Sequence, residues 1–282
     1  MSNLREIKRR INTISSIAHV TDALQKISAA RLIKAKKRAH NFKKYIHAYS
    51  QIVSKLIKNK VDHTLLKPVK SDTEIIIIIT QDKGLCGSFH TSVIKKSMEF
   101  IKEKNEKEMK LIVCGKKGIH YYEKSQYPIL LKKTNIPVIC KEEDITDIIE
   151  LVKQDILKKN VSAVHIVYNE FISTTKYEPQ IKQLFPIVDI QDNNIENTFY
   201  LFEPNPLIII DFIIPKYLSY LILDGFLESS VSEHTSRMIM MERASKNANE
   251  MIDQLTNLRN KKRQAMITSE LSEIVSTIEA LS

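Results

Sequence analysis

The chain has 282 residues, 43% of them apolar, and a formal net charge of +10. That length holds one large domain or two smaller ones, and the apolar share is enough for a core. Three cysteines without a C-x-x-C pair exclude a disulfide framework and fit reduced thiols in a cytosolic compartment. The opening Met1-Ser2-Asn3-Leu4-Arg5-Glu6 lacks the apolar core of a secretory signal, and no apolar run approaches the roughly 18 residues of a membrane span. Charge is unevenly placed. Residues 1–60 carry 15 Lys or Arg against two acids, a balance of +13, whereas residues 216–282 carry eight bases against nine acids. A segment so basic suits nucleic acid, an anionic membrane surface or an acidic protein partner, or serves solubility alone.

Residues 3–58 contain neither Gly nor Pro. Leu4, Ile7, Ile11, Ile14 and Ala18 form one apolar stripe; Ala35, Ala39, Phe42, Ile46, Tyr49, Val53 and Leu56 form another. The spacing predicts one long helix, about 80 Å at 1.5 Å per residue. Residues 59–73 read as a linker. Glu74-Ile75-Ile76-Ile77-Ile78-Ile79-Thr80 then predicts a strand buried on both faces. A turn follows at Asp82-Lys83-Gly84-Leu85-Cys86-Gly87-Ser88, then a helix over 91–104 and a strand over 110–114 closed by Gly115-Lys116-Lys117-Gly118. A helix over 142–158, a strand over 163–168 and an edge strand over 177–185 complete an alternation that predicts a mainly parallel sheet.

Pro204, Pro206 and Pro215 punctuate the return into a C-terminal helix over 216–282. Its stripe is Met241, Ala244, Ala248, Met251, Leu255 and Leu258, returning one residue out of phase at Leu271, Ile274, Ile278 and Leu281. Some 65 helical residues make a rod on the order of 100 Å, too long for a compact domain of this size. Two such rods at opposite chain ends predict a pairing. The expected fold is therefore α/β: a long antiparallel coiled coil of terminal helices, 1–60 and 207–282, with a Rossmann-like α/β domain inserted at 71–206.

Little in the pattern suggests catalysis. Gly84-Leu85-Cys86-Gly87 sits where a doubly wound fold binds phosphate, yet it matches neither G-x-G-x-x-G nor G-x-x-x-x-G-K-[ST] and reads as a tight turn. Cys86 has only His90 near it in sequence and reads as a buried, inert thiol. The eight histidines lack zinc-site spacing, and Asp144, Asp147 and Glu150 read as a solvated helix face. No metal or cofactor is expected, and the chain reads as a mechanical or scaffolding part rather than an enzyme acting alone.

Three blocks carry a family resemblance. They are Leu4-Arg5-Glu6-Ile7-Lys8-Arg9-Arg10-Ile11 with the following stretch 21–32, then Asp82-Lys83-Gly84-Leu85-Cys86-Gly87-Ser88-Phe89, then 232–238 with 260–275. In this order they resemble the gamma subunit of the F-type ATP synthase over essentially the whole chain. Leu24, Asp22 and Thr277 depart from the family's usual residues, all on helix surfaces. The resemblance implies a central shaft turning inside three alpha and three beta subunits, with the inserted domain as a foot on the membrane c-ring beside the epsilon subunit. Catalytic sites would belong to the beta subunits. Arg263, Gln264 and Thr268 resemble a catch on a beta-subunit loop; ordinary exposed polar residues are the other reading. Ile274, Val275, Ile278 and Leu281 resemble the shaft tip in an apolar sleeve, and Tyr200, Phe202 and Glu203 resemble the c-ring contact. The resemblance starts at residue 4, leaving no room for an organelle presequence, and the plastid form's extra Cys pair is missing. Both imply a bacterial protein on the cytoplasmic face of the plasma membrane. Two other classes stay open: a basic coiled coil binding nucleic acid, though groove-reading motifs are missing, and a small-molecule enzyme on the α/β domain.

Overall fold

The computed structural model describes residues 2–58, 69–104, 107–187 and 205–281. The elements are α1 (Ser2–Lys58), β1 (Thr73–Ile79), α2 (Phe89–Glu103), β2 (Glu108–Cys114), α3 (Lys116–Tyr122), β3 (Ile129–Lys133), α4 (Thr146–Leu157), β4 (Ala163–Ser173), β5 (Lys176–Phe185) and α5 (Pro206–Leu281). They fall into two compact units, Ala29–Arg237 and the pair Met1–Ser28 with Met238–Ser282.

The larger unit is built on a five-stranded sheet in the order β3-β2-β1-β4-β5. β1 pairs in parallel with β2 and β4, β2 pairs in parallel with β3, and β5 closes one edge antiparallel to β4. The isoleucine run explains why β1 is central. Ile75 to Ile79 are all fully buried, which only a strand covered on both faces allows. On one face Ile76, Ile78, Leu111, Val113 and Val167 pack with Val93 and Ile101 of α2 and Tyr122 of α3. The Tyr122 hydroxyl lies 2.6 Å from Ser97 Oγ and ties these two helices together.

The opposite face receives α5, and the approach is close at Gly225. A Cβ there would stand 2.7 Å from Ile166 Cδ1 and 3.3 Å from Ile79 Cδ1. Glycine fits here because the helix backbone itself rests on the sheet, and a larger residue would have to push the end of the Ile166 side chain aside. Within this unit α1 runs antiparallel to α5. Phe42 and Tyr49 meet the Tyr220 ring edge-on, at 5.3 and 4.9 Å. Lys43 Nζ pairs with Glu228 Oε1 at 2.6 Å, and Lys36 and Ala39 share a groove with Glu228 and Val231. Rising numbers on α1 thus meet falling numbers on α5.

In the smaller unit the two helices lie side by side, with Asp22 and Gln25 of α1 sharing a groove with Glu242, Lys246, Asn249 and Asp253 of α5. Ile7, Ala18, Thr21 and Ser28 of α1 are buried, as are Met241 and Ala248 of α5. The expected stripe needs correction beyond that point. Met251 and Leu258 are 49% and 42% exposed, while Ile252, Leu255 and Thr256 are half-buried. At 100° per residue, positions 251 and 258 lie roughly 70–90° from the midline of 241 and 248, whereas 252 and 255 straddle it. Choosing the larger side chains over the helical period misplaced the seam.

The structure departs from the sequence reading at five further points. α5 starts at Pro206 rather than near 216, and Pro215 lies inside it. Asn205 accepts from Leu207 N at 2.9 Å through its side chain and Pro206 follows it, a helix start in which proline's missing N–H costs nothing. The stretch expected to close at Gly115 and Gly118 opens a helix, α3; Gly118 stands in its first turn, where its N–H donates to Thr80 Oγ1 at 2.9 Å and a Cβ would collide with that hydroxyl. β3 was not expected, since its Ile-Leu-Leu-Lys-Lys sequence is short and only half-buried. The helix expected over 142–158 opens with a 3-10 turn, Glu142–Ile145. In it Asp144 accepts from Lys141 N at 2.7 Å, and in α4 Asp147 pairs with Lys133, so neither acid is merely solvated.

Gly225→Ala is expected to lower the free energy of unfolding by about 1–2 kcal/mol, overpacking against Ile166 outweighing the gain in helix propensity. Urea titration with an unchanged m-value checks it; a stabilised variant would mean the helix is not seated on the sheet.

Candidate functional site

The stretch of α5 from Phe226 to Arg237 is buried almost without interruption, although most of it is polar. Buried polar atoms need partners, and these are found in the surrounding loops and in β4. Ser230 Oγ donates to Val138 O at 3.0 Å, Ser232 Oγ to Asn169 O at 2.9 Å and Ser236 Oγ to Cys86 O at 2.6 Å. Arg237 donates to Gly84 O and Lys83 O at 3.2 and 3.3 Å and pairs with the Glu233 carboxylate. Asn169 in turn donates to Phe89 O at 2.7 Å and accepts from Ser92 Oγ at 3.0 Å. Two segments far apart in sequence, 82–89 and 232–237, thus form one hydrogen-bonded seat. Leu85 and Gly87 hold the loop with φ of 62° and 57°.

This arrangement decides several chemical questions. The loop after β1 turns the carbonyls of Lys83, Gly84 and Cys86 toward α5, and a backbone phosphate cradle needs N–H groups instead. Cys86 Sγ lies 3.2 Å from His90 Nε2, the geometry of a nucleophile and its base. Both shifts oppose that role. Burial pushes the Cys86 thiol up to about 11 and holds the His90 imidazole down. His90 Nε2 also lies 3.0 Å from Lys83 O, so it donates there and cannot take the thiol proton. Burial likewise raises Cys140, to about 12, and Cys114. Among the described residues there is no cluster of His, Cys, Asp or Glu fit to hold a metal ion, and no helix is long and apolar enough to cross a membrane.

Two buried ionisable groups stand out beside the seat. His234 is held down to about 4 by burial first, then by the charges of Arg237, Arg31 and Lys83. Asp224 is pushed up to about 6 by burial and by Glu228 one turn on, and its Oδ1 is buried without a hydrogen-bond partner among the described residues.

The residues singled out by resemblance are not brought to this seat. Arg263, Gln264 and Thr268 lie exposed on α5 in the smaller unit, where Thr268 Oγ1 donates to its own helix at Gln264 O, 3.0 Å. Ile274, Val275 and Ile278 follow on the same helix and are 57%, 53% and 63% exposed. Leu281 ends α5, and its side chain lies outside the described set, as do Tyr200, Phe202 and Glu203 entirely. The buried seat itself was not foreseen. Its signal was a run of Ser, Glu, His, Thr and Arg in the middle of a helix, flanked on both sides by apolar sequence.

Residues 3–281 match the ATP synthase family, and a relative from Halothermothrix orenii, "ATP synthase gamma chain", is 34% identical over the full length of both chains. The chain belongs to the ATP synthase gamma chain family. A gamma chain from Aquifex aeolicus is 33% identical, covering 98% of this chain and 97% of its own. The fold agrees. The structure titled Euglena gracilis mitochondrial ATP synthase, OSCP/F1/c-ring, rotational state 3, aligns with a TM-score of 0.64 at 15% identity, over 99% of this chain and 95% of that chain. The structure titled Tetrahymena thermophila mitochondrial ATP synthase, central stalk/c-ring, gives 0.61 at 22% identity, over 80% and 99%.

Two measurements probe the gamma-chain seat. Arg237→Met is expected to cost roughly 3–5 kcal/mol, because it leaves the buried Glu233 carboxylate unpaired and two carbonyls without donors. Arg237→Met with Glu233→Gln should recover a good part of that in the same denaturation assay. Asp224 has a folded pKa near 6, above its unfolded value, so the folded state holds the proton more tightly. Its contribution is full at low pH and is lost as pH rises from about 4 to about 6. Relative to the native chain, Asp224→Asn should therefore gain up to about 2–3 kcal/mol across that window. A flat difference between pH 4 and 7 would remove the assignment.

Proposed function

We propose that this chain is the central rotary shaft of an F-type ATP synthase, coupling ion-driven rotation of a membrane c-ring to conformational change at beta-subunit sites where ATP is made or hydrolysed. The observation that carries this reading is the family match over 3–281, joined with the exposed apolar residues on the last turns of α5. Large apolar side chains grouped at a helix end call for a partner surface. Ile274, Val275, Ile278 and Leu281 turn within an apolar sleeve formed by the alpha and beta subunits, three of each around one copy of this chain. Arg263, Gln264 and Thr268 form the catch. Their exposed polar groups bond a beta-subunit loop at one rotary position and release it with little apolar area exposed.

Three segments divide the work: 1–60 and 207–282 as the coiled coil, 71–206 as the foot. Tyr200, Phe202 and Glu203 rest on the c-ring, and the epsilon subunit lies beside the foot. The chain carries no catalytic site of its own; it works by offering each beta subunit a different contact at each angle, and differential contact is what shifts a conformational equilibrium. The relatives from Pelotomaculum thermopropionicum, Halothermothrix orenii and Aquifex aeolicus are bacterial, which favours a place on the cytoplasmic face of a bacterial plasma membrane.

The test is reconstitution with the same organism's alpha and beta subunits. One copy should join three alpha–beta pairs and support Mg-ATP hydrolysis. Removing 263–282 should abolish turnover, and Arg263→Ala should reduce it roughly ten-fold, the worth of a charge-assisted hydrogen bond. Full turnover after truncation would mean the catch and tip lie elsewhere.

A further inference from the structure

A pocket of about 260 Å³ opens in the larger unit where the chain leaves β1. Gln81, Asp82 and Lys83 form one wall, Arg31 of α1 another, and His234 of α5 lies in its lining. The carboxyl ends of the strands are where α/β sheets collect ligands. The acids of this pocket are already engaged. Asp82 accepts Lys116 N at 2.8 Å on one oxygen and Asn135 N at 2.7 Å on the other, and Glu233 is held by Arg237. The donors are not. Among the described residues the side chains of Arg31, Lys83 and Gln81 have no hydrogen bond or ion pair.

His234 adds a fourth donor. Its Nδ1 lies 3.4 Å from Arg237 Nη1, which has only protons to offer, so Nδ1 accepts and Nε2 carries the ring's hydrogen. Nε2 is buried and finds no acceptor among the described residues, in a side chain only 1% exposed. A buried donor without an acceptor is costly. The charges of Arg31 and Lys83 reach this wall, since both act on His234 and on Glu233. Two cations without a hydrogen bond or ion pair of their own, together with two neutral donors around a small polar pocket, suit an acceptor-rich, negatively charged guest.

We propose that this pocket binds a small oxyanion of the size and charge of inorganic phosphate, held by Arg31 and Lys83 and hydrogen-bonded by the Gln81 amide and His234 Nε2–H. It is a side-chain site, distinct from the backbone cradle that the loop after β1 does not form. It stands independently of the shaft reading.

The experiment titrates sodium phosphate into the full-length chain labelled at histidine, with ionic strength held constant by chloride. The His234 ring signals, assigned with His234→Gln, should shift to saturation with a millimolar dissociation constant. Arg31→Gln and Lys83→Gln should each weaken binding by roughly ten-fold. Neither side chain is fully buried, so both variants should melt as the native chain does. A linear response, an equal response to chloride, or unchanged affinity in both variants would overturn the proposal. So would free glutamate saturating the site at lower concentration than phosphate, which would assign the pocket to a protein carboxylate.

Discussion

A helix buried on all sides with polar residues on most of them is stable only if nearly all of its hydroxyls, amides and charges find partners. That constraint governs the larger unit. Gly225 lets the α5 backbone settle onto Ile79 and Ile166. One to three turns on, the helix is then close enough for Ser230, Ser232, Ser236 and Arg237 to reach backbone carbonyls at Val138, Asn169, Cys86 and Gly84. Each loop is held by its own main chain, and the left-handed residues Leu85 and Gly87 are the local cost of presenting those carbonyls.

The same helix changes character along its length. Within 226–237 most of its polar groups are satisfied by fixed partners in a dry setting, Ser229 Oγ and His234 Nε2 being the exceptions, and there hydrogen bonds are strong and their loss is expensive. Around 263–268 its polar groups are exposed and bond their own backbone or water. Contacts made there compete with solvent and are screened by salt. The basic surface of α1 is of the same kind, with salt bridges such as Arg10–Glu6 and Lys26–Asp22 lying at the surface and worth little. One part of the helix is thus fixed by buried contacts, and another presents polar groups to solvent.

Much of this was legible in sequence because it depends on side-chain period. The isoleucine run announced a central strand, and Ala35, Ala39, Phe42, Val53 and Leu56 marked the buried side of α1 correctly. The resemblance blocks named the family. Other features were not legible, for identifiable reasons. Position 252 rather than 251 lies on the seam because a helix turns 100° per residue whatever the side-chain volume. α3 was hidden because Gly118 reads as a turn until Thr80 is seen to occupy the space of its missing side chain. The seat on α5 was hidden because serine, glutamate and arginine read as surface, and only tertiary contact shows them enclosed. The candidate catch and tip came from resemblance alone; nothing in their spacing distinguishes them from an ordinary exposed helix face.

The grip of α5 on its loops is made almost entirely to main-chain oxygen atoms, and every residue type supplies one. Such a grip is blind to the identity of the residues it holds. Apart from positions that shape the loop itself, such as Asp82 and Gly87, the loops after β1 and β3 can therefore exchange the side chains they present outward while keeping these contacts. Specificity for a partner can drift on these loops without the scaffold having to be rebuilt beneath them.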